Sequence, residues 1–250
     1  NGDGSGTPVE EDGLRRLGAE TPPVWIHLSA HAPAAIQWLE DDASLPDDTL
    51  IHALLAEDTR PRLLSRDGGV LLILRGVNLN QNAEPEDMVS IRIWAEPQRL
   101  ISVQLRDLRG VAEMRQHLKS GSGPIDIGDL IATFVEGSIA RMSPVMRDLA
   151  DSIDEMEDRT LSAQLHGLRE EIVSMRRKTV IFNRFLAPQQ DIVQRLSQTE
   201  LAPLDPNQRS RLLEAHNDIA RFVEDLQALR ERSHAVQDEI ANMLSERLNR

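Results

Sequence analysis

The chain has 250 residues, 40% of them hydrophobic and 28% charged, enough for one large domain or a domain with a long extension and too apolar for a disordered one. Its formal charge of −13 has the wrong sign for a phosphate backbone or an anionic lipid surface, and aromatics at 3%, with no tyrosine, argue against stacking on single-stranded bases. There is no cysteine, which excludes disulfides and thiolate zinc sites.

Residues 1–22 have little apolar content and no period, and are expected to form a flexible tail. Their glycines follow no strand and precede no Gly-Lys-Ser/Thr, so a phosphate loop is dismissed. There is no basic-then-apolar leader pattern. Val24–Leu28 reads as a strand, followed by a short helix after Pro33 carrying Ile36, Trp38 and Leu39. A second helix opens at Pro46-Asp47-Asp48, with Leu50, Ile51, Leu54 and Leu55 on its apolar face. Strands are predicted at Arg62–Ser65, Val70–Leu79, Met88–Trp94 and Arg99–Leu105, the first two joined by a hairpin turn at Asp67-Gly68-Gly69. Val70–Leu74 is apolar throughout, as in a central strand covered on both faces. It is the longest purely apolar run, far short of the roughly 20 residues that span a bilayer, and the chain as it stands is expected to be soluble. Val89, Ile91 and Ile93 alternate with Ser90, Arg92 and Trp94, which predicts a half-buried strand. A helix over about Leu108–Leu118 stops at Gly121-Ser122-Gly123-Pro124.

Beyond residue 126 strand signals vanish, and three helices are predicted over about 127–163, 165–198 and 207–250, broken at His166-Gly167 and at 202–206. The last carries two heptad seams: Leu212, Ile219, Leu226, Ser233, Ile240 and Arg247; and Ala215, Phe222, Leu229, Val236, Met243 and Arg250. At 1.5 Å per residue it is about 65 Å long. Such a helix needs partners along its length, and the expected partners are copies of itself, leaving the seam partly exposed in a monomer. Leu248-Asn249-Arg250 has no C-cap, as though a continuing helix were cut there.

No pair of the seven histidines has strong metal-ligand spacing, and no Gly-x-Ser-x-Gly elbow occurs, so an enzyme reading has no anchor. Asp148, Asp151, Glu155 and Asp158 repeat at helical spacing, with Asp154 and Glu157 beside them. Such a stripe is either a solvated helix face or an electrostatic lure that enriches divalent cations without trapping them.

Six segments, in order, carry a resemblance. Glu57-Asp58-Thr59-Arg60-Pro61-Arg62 precedes a hairpin, and Gly69–Asn80 contains Leu-Arg-Gly-Val-Asn. Then come Met88–Trp94, Ser152–Glu157 and Phe185–Ile192, and the chain ends in Ser245-Glu246-Arg247-Leu248-Asn249. Over about 24–250 the chain resembles the CorA metal ion transporter family in its zinc-transporting, ZntB-type branch. The resemblance implies an α+β fold: an N-terminal α/β/α sandwich around a mixed sheet, followed by long helices including a stalk helix, forming a funnel in a homopentamer. It divides the chain into a tail (1–22), a funnel domain (23–205) and a stalk helix (206–250) leading to a first membrane helix beyond the sequence. It implies a cytosolic position at a bacterial inner membrane and zinc as the transported ion, with uptake favoured over efflux. Counting back along the stalk places the family's inter-subunit cation site at Glu214 and Asp218, where glutamate replaces the family's aspartate. Arg247 and Arg250 would form a membrane-proximal basic collar, which bound chloride could neutralise. The acids at 148, 151, 155 and 158 would draw cations to the vestibule. The competing reading is a soluble coiled-coil interaction protein with an α/β head. Neither reading calls for nucleic acid.

Overall fold

A computed structural model describes residues 2–8, 23–41, 45, 47–66, 68–200 and 204–248. The elements in order are β1 (Val24–Ser29), α1 (Pro33–Asp41), α2 (Asp48–Leu55), β2 (Arg62–Arg66), β3 (Gly69–Gly76), β4 (Val89–Ala95) and β5 (Arg99–Gln104). Five helices follow: α3 (Arg109–Ser120), α4 (Ile127–Ala140), α5 (Met142–Leu161), α6 (Leu168–Gln198) and α7 (Pro206–Leu248). The strands form one mixed sheet in the order β1-β5-β4-β3-β2, with β1 parallel to β5 and the other pairs antiparallel.

Period-two alternation on the central strands divides the core into two layers. Leu72, Leu74, Ile91 and Ile93 face the long helices, meeting residues such as Ile131, Val135, Phe182 and Leu186. Leu71, Ile73, Trp94, Ile101 and Val103 face the other way, onto Leu39 of α1 and Leu50 and Leu54 of α2. This is the expected α+β fold, with an α/β/α sandwich at its N-terminal end. The β2–β3 hairpin forms as predicted, Arg66 opposite Gly69, although Asp67 lies outside the described residues. A Cβ on Gly69 would fall 2.6 Å from the Ala95 carbonyl oxygen and 2.7 Å from the Trp94 ring, so only glycine lets that ring close the end of the sheet.

Four expectations change. Strand β3 ends at Gly76 instead of reaching Leu79, because the chain turns there to bond Asn78 N–H to the Pro85 carbonyl. Strand β4 is buried on both faces, with Ser90 8% and Arg92 0% exposed, since helices cover both sides of the sheet and β4 lies at its centre. The single helix predicted over 127–163 is two, α4 and α5, separated at Arg141. Pro144 has no N–H to offer the Ala140 carbonyl, which ends α4 there. The fourth change concerns the heptad seams.

Helix α7 runs unbroken from Pro206 to Leu248, through Ser233, whose hydroxyl bonds back to the Leu229 carbonyl at 2.6 Å. Its seams are covered within the chain. Leu212, Ile219 and Ser233 are 0% exposed, and Ala215, Phe222, Leu226, Leu229, Val236 and Ile240 are buried too. The partners are α6, antiparallel to it, and α4 and α5, which follow it in parallel. Arg176 Nη1 donates to Gln237 at one end of the α6 contact, and Arg209 donates to the Ser197 and Thr199 carbonyls at the other. A seam of apolar residues at heptad spacing specifies a helical neighbour without saying which chain supplies it. Here the chain supplies its own, which removes the basis for a coiled-coil interaction protein. Among the described residues no strand follows β5. Of the segment read as a tail, residues 2–8 include backbone bonds to the end of α3, while 1 and 9–22 lie outside the described residues, as do Pro46 and 201–203.

His27 on β1 is largely buried, with Nδ1 2.8 Å from Ser102 Oγ. Burial, with help from the Arg115 charge, pushes its pKa from 6.5 down to about 4. The unfolded chain takes up a proton on His27 near pH 6.5, whereas the folded chain resists until about pH 4. Stability is therefore fully present above pH 6.5, falls as pH drops through that window and levels off below it, a loss of about 3 kcal/mol. Urea denaturation between pH 7 and 4 should show this slope in the native chain and a much flatter one in His27→Gln. Equal slopes would assign the pH dependence elsewhere.

Candidate cation-attracting face

Helix α5 is amphipathic. Val145, Met146, Leu149, Ile153 and Met156 are buried against the core, and Asp148, Asp151, Glu155 and Asp158 are exposed on the opposite face. The stripe spans about 15 Å at the helical rise. The flanking acids Asp154 and Glu157 are spoken for. Arg232 of α7 reaches both, Nη2 at 2.5 Å from Asp154 and 2.6 Å from Glu157, with Nε 2.7 Å from the second Glu157 oxygen. The bonds from Glu157 and then Asp154 raise the Arg232 pKa. A matching clamp lies at the other end of the layer, where Arg211 bonds Glu136 at 2.6 and 2.8 Å and Asp129 at 2.5 Å. These two forks fix α4 and α5 against α7 and so fix which face of α5 points outward.

Four carboxylates therefore remain on the open face after the structural ones are subtracted. They do not converge: among the described residues no group of three or more histidine, aspartate or glutamate side chains could hold a metal ion. Such a face can lower the local potential and draw in cations, but it lacks the ligand geometry to retain one. Glu214 is exposed on α7, and one turn on Asp218 is bonded to Arg221 of its own helix at 2.6 Å. These two are not brought into any ligand group with the α5 stripe. The Arg247 side chain and all of Arg250 lie outside the described residues.

Two arginines, Arg75 and Arg92, organise the sheet end. Arg75 donates from Nε and Nη2 to the Thr59 carbonyl, from Nη1 to Met88 at 3.0 Å, and lies 4.9 Å over the Phe185 ring. Strand β2 stops opposite Ile73, two residues short of Arg75. Gln189 stands in for the missing strand, its Oε1 accepting from Arg75 N–H at 2.7 Å and its Nε2 donating to the Arg75 carbonyl at 3.1 Å. Arg92 is fully buried and donates to Ala56 at the C-terminal end of α2 at 2.5 Å. Burial, then the Arg75 charge, pushes its pKa down to about 10. The Glu57–Arg62 and Leu74–Asn78 segments of the resemblance thus meet in one structural joint.

Residues 21–250 match the family described as CorA-like Mg2+ transporter protein. The chain belongs to that family. Its members are transporters, not enzymes. The chain is similar to the zinc transport protein ZntB of Pectobacterium carotovorum, with 31% identity over 250 residues, which is 100% of this chain and 75% of that protein. It is also similar to the divalent cation transporter CmaX of Pseudomonas aeruginosa, 36% identical over 91% of this chain and 69% of that one. Among solved structures, full-length CmaX superposes with a TM-score of 0.91 at 33% identity, covering 100% of this chain and 77% of CmaX. The ZntB cytoplasmic domain from Vibrio parahaemolyticus superposes with a TM-score of 0.79 at 30% identity, covering 90% of this chain and 89% of that domain. Among the described residues no helix is long and apolar enough to cross a membrane.

Proposed function

We propose that this chain is the cytoplasmic part of a homopentameric inner-membrane transporter that carries zinc into the cell. Membership of a cation transporter family rests on the match over residues 21–250. Zinc is the cargo favoured by the 31% identical relative named as a zinc transport protein. The observation in the chain itself that carries the reading is the set of four exposed carboxylates on α5, none of them in a salt bridge among the described residues, while Asp154 and Glu157 hold Arg232. Residues 23–205 would form the funnel and 206–250 the stalk, with zinc as a transient passenger. Glu214 and Asp218 would be a weak inter-subunit contact for the ion. Arg247 and Arg250 would face the headgroups as a collar, with chloride as counter-ion.

A divalent ion gains twice the energy of a monovalent one in the same negative potential, and water-exposed carboxylates release it readily. The test is zinc flux by the full-length protein in liposomes with a zinc-sensitive dye on either side of the membrane. Zinc entry toward the side carrying this domain, faster than magnesium entry, is the expected result. Magnesium flux without zinc flux would overturn the cargo, and zinc movement only away from the domain would overturn the direction.

A further inference from the structure

A cavity of about 520 Å³ lies between β1, α3 and the start of α4, and it shares no lining residue with the α5 stripe. Its size suits a small organic molecule. One wall is the segment 2–8, strapped to the end of α3: Gly6 N–H donates to the Leu118 carbonyl at 2.9 Å, and Gly123 N–H donates to the Gly4 carbonyl at 2.8 Å. Gly4 has φ +83°, and a Cβ there would sit 2.9 Å from the Gly123 carbonyl oxygen, so this close seat requires glycine.

Trp25 and His27 both line the cavity, two residues apart and therefore on one face of β1, with ring centroids 5.9 Å apart. They are fixed from beneath. The Trp25 indole N–H donates to Ser102 Oγ at 2.7 Å, and His27 Nδ1 lies 2.8 Å from the same oxygen. Phe134 meets the Trp25 ring edge-on at 5.5 Å. Rings held this way need little ordering when a ligand arrives.

The charge around the cavity is unusual for a chain of net charge −13. Arg115 and Lys119, one turn apart on α3, both line it, and among the described residues neither has a carboxylate partner. Among the described lining residues the acid is Asp126, and it is already engaged: it caps α4 through Asp129 N–H at 2.7 Å and accepts from Gln208 Nε2 at 2.9 Å. Two cations with no carboxylate partner among the described residues, beside a preformed aromatic floor, select for an occupant with a negative head and an apolar body.

We propose that this cavity binds a small organic carboxylate, its head at Arg115 and Lys119 and its apolar body over the Trp25–His27 floor. A bare inorganic anion would forgo the apolar contact, and a neutral or cationic molecule would leave the two charges unmatched. The probe is 4-phenylbutyrate, compared with 4-phenylbutylamine, which has the same body and the opposite charge, and with inorganic phosphate. The three tryptophans, labelled as 5-fluorotryptophan, give separate 19F signals that single Trp→Phe variants assign. Phenylbutyrate should shift the Trp25 signal and leave Trp38 and Trp94 in place. The amine and phosphate should bind at least about tenfold more weakly, and Arg115→Gln with Lys119→Gln should weaken phenylbutyrate by a similar factor. Both substitutions are at exposed positions, and circular dichroism checks the fold. An unmoved Trp25 signal at millimolar phenylbutyrate, equal binding of the amine or phosphate, or full affinity in a folded double variant would each overturn the proposal.

Discussion

Ile219→Ala should lower the unfolding free energy of this chain by about 3 kcal/mol, by the same amount at every protein concentration. Ile219 is 0% exposed, and its seam on α7 packs against the chain's own helices. Truncation removes buried methyl and methylene groups and leaves a cavity that a neighbourhood of long helices cannot easily close. If the seam met other copies of the chain, the loss would instead depend on how much of the protein is assembled. Leu213, 43% exposed on the same helix, serves as the control, and Leu213→Ala should cost less than about 0.5 kcal/mol. Urea unfolding at two concentrations separates the cases. A concentration-dependent loss for Ile219→Ala, or one no larger than for Leu213→Ala, would contradict the intrachain packing.

Arg75→Ala should cost a similar amount, about 3 kcal/mol, for a different reason. The side chain is 10% exposed and gathers the Thr59 and Met88 carbonyls, which would lose their donor together. Its stacking over Phe185 ties the same joint to α6. Arg75→Lys should rescue little of this, because one ammonium cannot reproduce a planar fork serving two carbonyls and a ring. Denaturation of both variants checks it. A lysine variant close to the native chain would mean that charge, and not fork geometry, holds the joint.

The layered fold was legible because the signals for it are local and periodic. Val70–Leu74 reads as a covered strand, Gly68 as a turn residue and His166-Gly167 as a helix boundary; the strand forms, Gly68 turns the hairpin at positive φ, and Gly167 caps α6. What patterning could not resolve was which surface each residue met. Arg92 sits at an alternating position that reads as solvent-facing, and only the helices packed on both sides of the sheet bury it. The seam of α7 announced a helical neighbour, yet α6 satisfies it from within the same chain. Pro144 marked the α4–α5 break in plain sight, masked by the apolar period that runs through it. The acids of α5 were visible as a stripe. That Asp154 and Glu157 belong to Arg232 was not, because 75 or more residues separate the partners. The Arg75–Gln189 joint is invisible for the same reason, at a separation of 114 residues.

A charge effect of the open face of α5 depends on ionic strength in a way that no structural role shares. Fields from exposed charges reach about 30 Å at 0.01 M salt and about 3 Å at 1 M. The decisive measurement is zinc flux by the full-length protein carrying Asp148→Asn, Asp151→Asn, Glu155→Gln and Asp158→Asn, compared with the native protein in liposomes across that range. The lure predicts a flux about tenfold below native at low salt, converging with native at high salt. Equal flux at low salt would contradict it and leave the stripe as a solvated helix face.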